Sequence, residues 1–154
     1  MEIIQASEIL KAEFGLMKKE LIAQYDALGM RASGNWADAL EVQQSGTNVK
    51  LLGLKYSEQL EYGRRAGKAP PRKVIEKWIV DKGLAGRIRG NISISSLAFL
   101  IARKIAREGW NRKEFGGVEL ISKVVTPERI QRILKRIENT YLPIISNEIK
   151  LMYA

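Results

Sequence analysis

Residues 60 to 79 read LEYGRRAGKAPPRKVIEKWI and hold two glycines four apart, four cations within nine positions, a double proline and then an apolar helical pattern. The nearest chemical template is the P-loop, G-x-x-x-x-G-K-[ST], whose glycine-rich turn aims backbone N–H groups at phosphates and whose hydroxyl holds magnesium. The stretch departs from it three times. Gly63 and Gly67 enclose three residues rather than four, and Lys68 is followed by Ala69, which offers a metal no oxygen. Pro70 and Pro71 also push Ala69 and Pro70 into extended backbone where a P-loop helix would begin. The stretch reads better as a chain leaving a strand at Gly63 and Gly67 and entering a helix at Pro71, where a missing N–H costs nothing. Val74, Ile75, Trp78 and Ile79 then form a stripe expected to dock on a sheet. Glu61, Arg64, Arg65 and Lys68 are expected on an exposed turn.

Upstream, the period changes from Trp36 to Tyr56. LEVQ (40–43) alternates apolar and polar residues, SGTN (45–48) is turn chemistry, and VKLLGLKY follows. This pattern predicts an antiparallel hairpin whose second, more apolar strand is the central one. Before it, residues 3–28 read as an amphipathic helix. Leu10, Phe14, Met17, Leu21, Tyr25 and Leu28 share a stripe, Ser7 is a candidate N-cap and Gly29 the stop.

Downstream, the Pro71 helix should stop near Gly83. GLAGRIRGNIS (83–93) is a loop with three glycines and the cations Arg87 and Arg89, a composition that orders on a partner. SLAFLIARKIAREG (96–109) is the most hydrophobic helix. Ile94, Leu97, Ala98, Ile101 and Ile105 face inward, Ser93 or Ser95 caps it, and Gly109 ends it. Arg103, Lys104 and Arg107 on its polar edge complement the helix dipole. A loop, WNRKEFGG, and a short apolar segment complete 110–125. The last helix has Thr126 as cap and Pro127 as first residue, with Ile130, Ile133, Leu134, Ile137, Tyr141, Ile144 and Ile145 as its stripe and Ile149 as a candidate extension of it. Pro143 removes a hydrogen bond to Asn139, so a kink or break is expected there. The fold class is therefore α+β: a small antiparallel sheet packed against several helices. A single domain, 1–154, would comprise an N-terminal helix (1–30), an α+β core (36–125) and a kinked C-terminal helix (126–154).

The 154 residues suffice for a buried core without staples, and with 45% hydrophobic and 28% charged side chains the chain matches soluble globular proteins. No apolar run of about 18 residues exists, and the acidic start, MEIIQASEILKAEF, does not resemble a secretory signal. Cysteine and histidine are both absent, which removes thiol nucleophiles, disulfides, Ser-His-Asp triads and zinc clusters. Neither a cofactor nor a metal is expected. The formal charge of +9 fits an anionic partner such as nucleic acid or an acidic protein face. Its cations are spread along the chain rather than gathered in one tract, so a solvated basic surface fits as well.

Three constellations could carry chemistry. Glu148-Ile149-Lys150 mimics half of a metal-dependent nuclease site, but on a helix those two side chains point about 200° apart. Asp38, Glu41, Glu58 and Glu61 would make a carboxylate–metal enzyme only by converging in one pocket. Trp110 and Phe115, on a loop beside cations, suit stacking on single-stranded bases or anchoring a protein interface. Trp78 lies on an apolar stripe and is expected in the core.

The run Tyr56-Ser57-Glu58-Gln59-Leu60-Glu61-Tyr62-Gly63-Arg64-Arg65 resembles the Y-A-x-x-x-E-x-G-T/R signature of the neck and minor-tail (tail-completion, head–tail joining) protein family of tailed bacteriophages. GKAPPRKVIEKWIVDKGL is similar to the G-K-x-P-P-x-x-x-I-x-x-W-x-x-x-K-G-I segment of some members, and SLAFLIARKIAREG to their next helix. The resemblance spans about residues 36–115. Ser57 stands where alanine is frequent and Arg64 where threonine is common. Trp110 to Phe115 replace the usual G-T-x-P-F-F.

The resemblance implies a non-enzymatic virion protein, made in the host cytoplasm. It would form a ring, a hexamer or dodecamer, between the head connector and the tail tube. Its partners would be its own copies and the connector, adaptor and tail-tube proteins, with room for a passing contact with DNA and none with a membrane. Glu61, Arg64, Arg65, Lys68, Arg87, Arg89, Trp110 and Phe115 are the expected assembly residues. The alternative is a basic nucleic-acid-binding protein.

Overall fold

A computed structural model describes residues 2–112 and 117–152, with side chains described for 6–112 and 117–143. In chain order the elements are α1 (Glu2–Ala27), α2 (Asn35–Asp38), β1 (Glu41–Ser45), β2 (Asn48–Leu52), α3 (Ser57–Tyr62), β3 (Gly63–Arg64), α4 (Arg72–Asp81), a 3-10 turn (Ala85–Arg87), α5 (Ile94–Glu108), β4 (Trp110–Asn111) and α6 (Pro127–Met152). The described residues thus form an α+β fold of six helices and two antiparallel two-stranded sheets, with the long helices α1 and α6 in contact.

The stripe on α1 builds the main core. Met17, Leu21 and Tyr25 are buried with Trp36, Ala37, Leu40, Leu120, Val124 and Ile133, and Leu10 and Phe14 lie against them. Leu28, the last residue of the expected stripe, lies beyond the helix and is exposed. Ser7 is not a cap; it sits inside α1 and is buried. Gly29 ends the helix with φ 62°. Trp36 stacks on Tyr25 at a centroid distance of 4.8 Å. Its indole N–H donates to the Ser57 hydroxyl at 2.9 Å, which donates in turn to the Leu54 carbonyl at 2.6 Å. Ser57 is therefore the buried indole's acceptor. Arg129 reaches Glu20, and Arg136 reaches Glu13 at 2.9 Å, tying α6 to α1.

The hairpin forms as the alternation predicts. Ser45 pairs with Asn48 around Gly46 and Thr47, and Gly46 has φ 58°, the positive value that a two-residue hairpin turn needs at its first central position. Among the described residues no further strand pairs with it, so β2 is not central. Its inward residues Val49 and Leu51 face α1, while Leu52 is 38% exposed.

The helix after the double proline does not dock on a sheet. Ile75 and Ile79 of α4 pack against Ala98 and Ala102 of α5, forming a second cluster covered by Leu84, Ala85, Ile88, Ile94, Leu97, Ile101 and Ile105. The hairpin's inner face is already taken by α1, so α4 finds the small-residue face of α5 instead. The segment 83–93 is consequently not an open loop, since Leu84 and Ile88 cover this core. Trp78 is 39% exposed and Val74 58%. With Ile75 and Ile79 pointing inward, 100° per residue leaves both on a flank. Ser93 is the cap of α5, accepting from the Ser96 N–H at 3.1 Å, and Gly109 is its stop. The Lys82 ammonium donates to the carbonyls of Gly29 and Arg31, anchoring this helix pair to the end of α1.

At α6, the Thr126 hydroxyl accepts from the Arg129 N–H at 3.2 Å, as a cap does. The helix runs on through Pro143 to Met152, so no break occurs. Asn139 and Pro143 are both exposed, and solvent can satisfy the carbonyl that loses its partner. Ile144, Ile145 and Ile149, like the Glu148–Lys150 pair, have side chains outside those described.

Candidate functional site: a basic cleft beside a glycine-dependent strand pair

The opening stretch is sewn to the chain after α5. Gly63 pairs with Asn111 and Arg64 with Trp110. Gly63 has φ 88° and ψ −164°, and Gly109 has φ 64° and ψ −161°, a region essentially restricted to glycine. Space imposes the same restriction. A Cβ on Gly63 would lie 1.9 Å from the Trp110 carbonyl oxygen, and one on Gly109 would lie 2.2 Å from that of Arg64. The two backbones meet closely only because neither residue has a side chain. Gly67 adds an N–H bond to the Ala106 carbonyl at 2.8 Å.

Glu61 is not on an exposed turn; it is 1% exposed. Its carboxylate accepts from the N–H groups of Leu120 and Ile121 at 2.7 and 2.8 Å and from the Ser122 hydroxyl at 2.6 Å. Its own carbonyl accepts from the Val118 N–H at 3.1 Å. The Arg112 guanidinium donates to the Leu60 carbonyl at 2.7 Å. Glu61 therefore holds the segment before α6 against α3. Buried carboxylates persist where their oxygens are fully hydrogen-bonded. Its position in the last turn of α3 puts it about 200° around the helix from solvent-exposed Gln59.

In front of this strut lies a cleft of about 710 Å³, walled by Glu58, Tyr62, Arg64, Arg65, Lys68, Glu108, Trp110 and Asn111. Arg64 is half-buried and donates to the Lys68 carbonyl at 2.6 Å, closing the turn. Arg65 and Lys68 are exposed, and among the described residues neither forms an ion pair. The Arg107 guanidinium bonded to Glu108 holds that carboxyl below the usual carboxylate range. Trp110 is half-buried; its indole N–H is buried and unbonded among the described residues.

The fold thus gathers Arg64, Arg65, Lys68 and Trp110 around one cleft. It places Glu61 behind the cleft as a structural strut. Arg87 and Arg89 are carried, exposed, on the cover of the α4–α5 core, away from it. Phe115 lies outside the described residues. Glu58 and Glu108 are cleft residues that the sequence reading did not assign to the site. For Glu58 a signal was present, since it lies four residues before Tyr62 on α3, one helical turn away.

Among the described residues no three carboxylates gather where they could hold a metal, and no helix is long and apolar enough to cross a membrane. No protein-family model matches the chain, and comparison with curated proteins and with solved structures gives no significant match.

Proposed function

We propose that this chain is a structural protein of a tailed-phage virion, forming a ring at the neck between head connector and tail. The supporting observation is that the residues carrying the resemblance build the cleft. Tyr62, Gly63, Arg64 and Arg65 line it, facing Trp110 across the β3–β4 pair. A ring subunit needs two different faces that meet head to tail around an axis. The cleft offers a cationic one.

Locating a labelled copy of the chain in purified particles by electron microscopy tests the reading. It should appear at the neck, and absence from neck and tail overturns the idea. Because Arg64 closes its own turn, Arg65→Glu with Lys68→Glu is the cleaner interface variant. It should fold normally and fail to assemble, and normal particles from it would argue against the cleft as the contact.

A nucleic-acid-binding role rests on the same unpaired cations. It predicts affinity for free DNA that falls steeply as salt rises, whereas ring assembly predicts a large symmetric complex and little affinity for free DNA.

A further inference from the structure

Residues 64–108 carry 12 of the 26 basic side chains and 3 of the 17 acidic ones, the whole +9; the remaining residues hold 14 of each and are neutral. Although cations occur along the whole chain, the net charge therefore falls in the cleft turn and the α4–α5 pair, where acidic residues are scarce. That pair has its own small core. On its outer surface Phe99 and Leu100 are 52% and 50% exposed. They line a hollow of about 420 Å³ together with Arg72, Ser95 and Ser96. One helical turn further along α5 stand Arg103 and Lys104, both exposed, at the i+4 positions of that apolar pair.

We infer that this face of α4–α5 docks an acidic amphipathic helix from another protein. Its apolar side chains would enter the hollow over Phe99 and Leu100, and its carboxylates would meet Arg72, Arg103 and Lys104. Two exposed large apolar residues flanked by Arg72 on one side and by Arg103 and Lys104 one turn on match a partner that is apolar along one stripe and acidic beside it. Arg72 and Lys104 also make surface pairs with Glu76 and Glu108 of their own helices, which a partner's carboxylates would share. A nucleic acid duplex answers only the cations, because its phosphate surface buries neither Phe99 nor Leu100. A second copy presenting α6 matches the apolar part better than the charge. Exposed Ile130 and Leu134 have a single carboxylate on their face, Glu138 one turn beyond Leu134, with Lys135 on the flank. That is a weaker complement to three cations than a helix acidic along its length. The inference concerns a face other than the β3–β4 cleft and does not depend on ring formation.

The test uses the intact chain and a fluorescent synthetic helix bearing leucine on one face and glutamate beside it. Controls are a peptide of identical composition in scrambled order and a DNA duplex. The amphipathic helix should bind, and the scrambled peptide should bind at least about tenfold more weakly. Phe99→Ser with Leu100→Ser, and separately Arg103→Glu with Lys104→Glu, should each weaken binding by about tenfold or more. All four positions lie on the surface, and circular dichroism checks that the variants remain folded. Equal binding of the scrambled peptide, or no loss in the Phe99/Leu100 variant, would overturn the inference. So would preferential binding of the duplex that depends on the cations alone. The Arg65→Glu/Lys68→Glu variant should retain the peptide, so failure of ring assembly and failure of docking can be told apart.

Discussion

Replacing Glu61 by alanine removes one acceptor group from three donors at once: the Leu120 and Ile121 N–H groups and the Ser122 hydroxyl, all within 2.8 Å of its carboxylate. A hydrogen bond to a charged acceptor contributes about 1.5–3 kcal/mol, and a buried donor left unmatched costs about 1–3 kcal/mol. The three share one side chain, and water entering the vacated space recovers part of the loss, so their effects do not sum. A net destabilisation of about 3–5 kcal/mol is expected. For a chain of this size, about 2–4 °C per kcal/mol lowers the melting temperature by about 6–20 °C. Glu61→Gln discriminates hydrogen bonding from mere packing. Its oxygen can keep the two backbone donors while its N–H₂ turns to Ser122, whose hydroxyl rotates to accept. One amide hydrogen is left over, and the cost is about 1 kcal/mol. Urea unfolding of parent, Glu61→Gln, Glu61→Ala, Ser122→Ala and the double variant Glu61→Ala/Ser122→Ala measures these differences and the Glu61–Ser122 coupling. An alanine variant within about 1 kcal/mol of the parent, or a glutamine variant as unstable as the alanine one, would show that Glu61 does not hold this segment.

The same strand pair makes Gly63→Ala and Gly109→Ala costly, because each new Cβ meets a carbonyl oxygen at a positive φ. Each should destabilise by about 3 kcal/mol or more and shift the Trp110 emission, whereas Gly67→Ala, which shares a positive φ of 147° but has open space at its Cβ, should cost only about 1–2 kcal/mol of backbone strain and shift that emission less. Ser57→Ala takes the acceptor from the buried Trp36 indole and should cost about 1–2 kcal/mol in chemical unfolding; Ser57→Thr, which retains the hydroxyl, should cost less. At Asp26 the hydrogen bond from Arg31 holds the carboxyl below its ordinary range. A depressed carboxyl stabilises the fold above its unfolded pKa, and that contribution is lost as pH falls through the folded value. Arg31→Met should therefore raise the Asp26 titration midpoint in carboxyl-carbon NMR and remove this part of the acid dependence; an unmoved midpoint would show that Arg31 is not the cause.

Local chemistry was legible in the sequence. The α1 stripe, the hairpin turn at Gly46, the Ser93, Gly109 and Thr126 boundaries and the failed P-loop spacing all depend on residues within a few positions of one another. Periodicity, capping and φ restrictions act at that range. Which surfaces meet was not legible. The Pro71 helix displayed an apolar stripe with no label for its recipient, and the fold supplied α5 where a sheet was expected. Glu61 looked like an exposed charge beside arginines. Its burial depends on Leu120, Ile121 and Ser122, about sixty positions away.

The sequence by itself determined the α+β class, most helix limits and the absence of thiol and imidazole chemistry. It also marked the glycines and arginines of LEYGRRAGK as the stretch to explain. Only the tertiary structure separated that stretch into a buried strut at Glu61, a close backbone contact at Gly63 and a cationic cleft at Arg65 and Lys68. Hydrogen-bond satisfaction and excluded volume are settled by groups distant in the chain, and they decide which charges are buried and which remain for a partner.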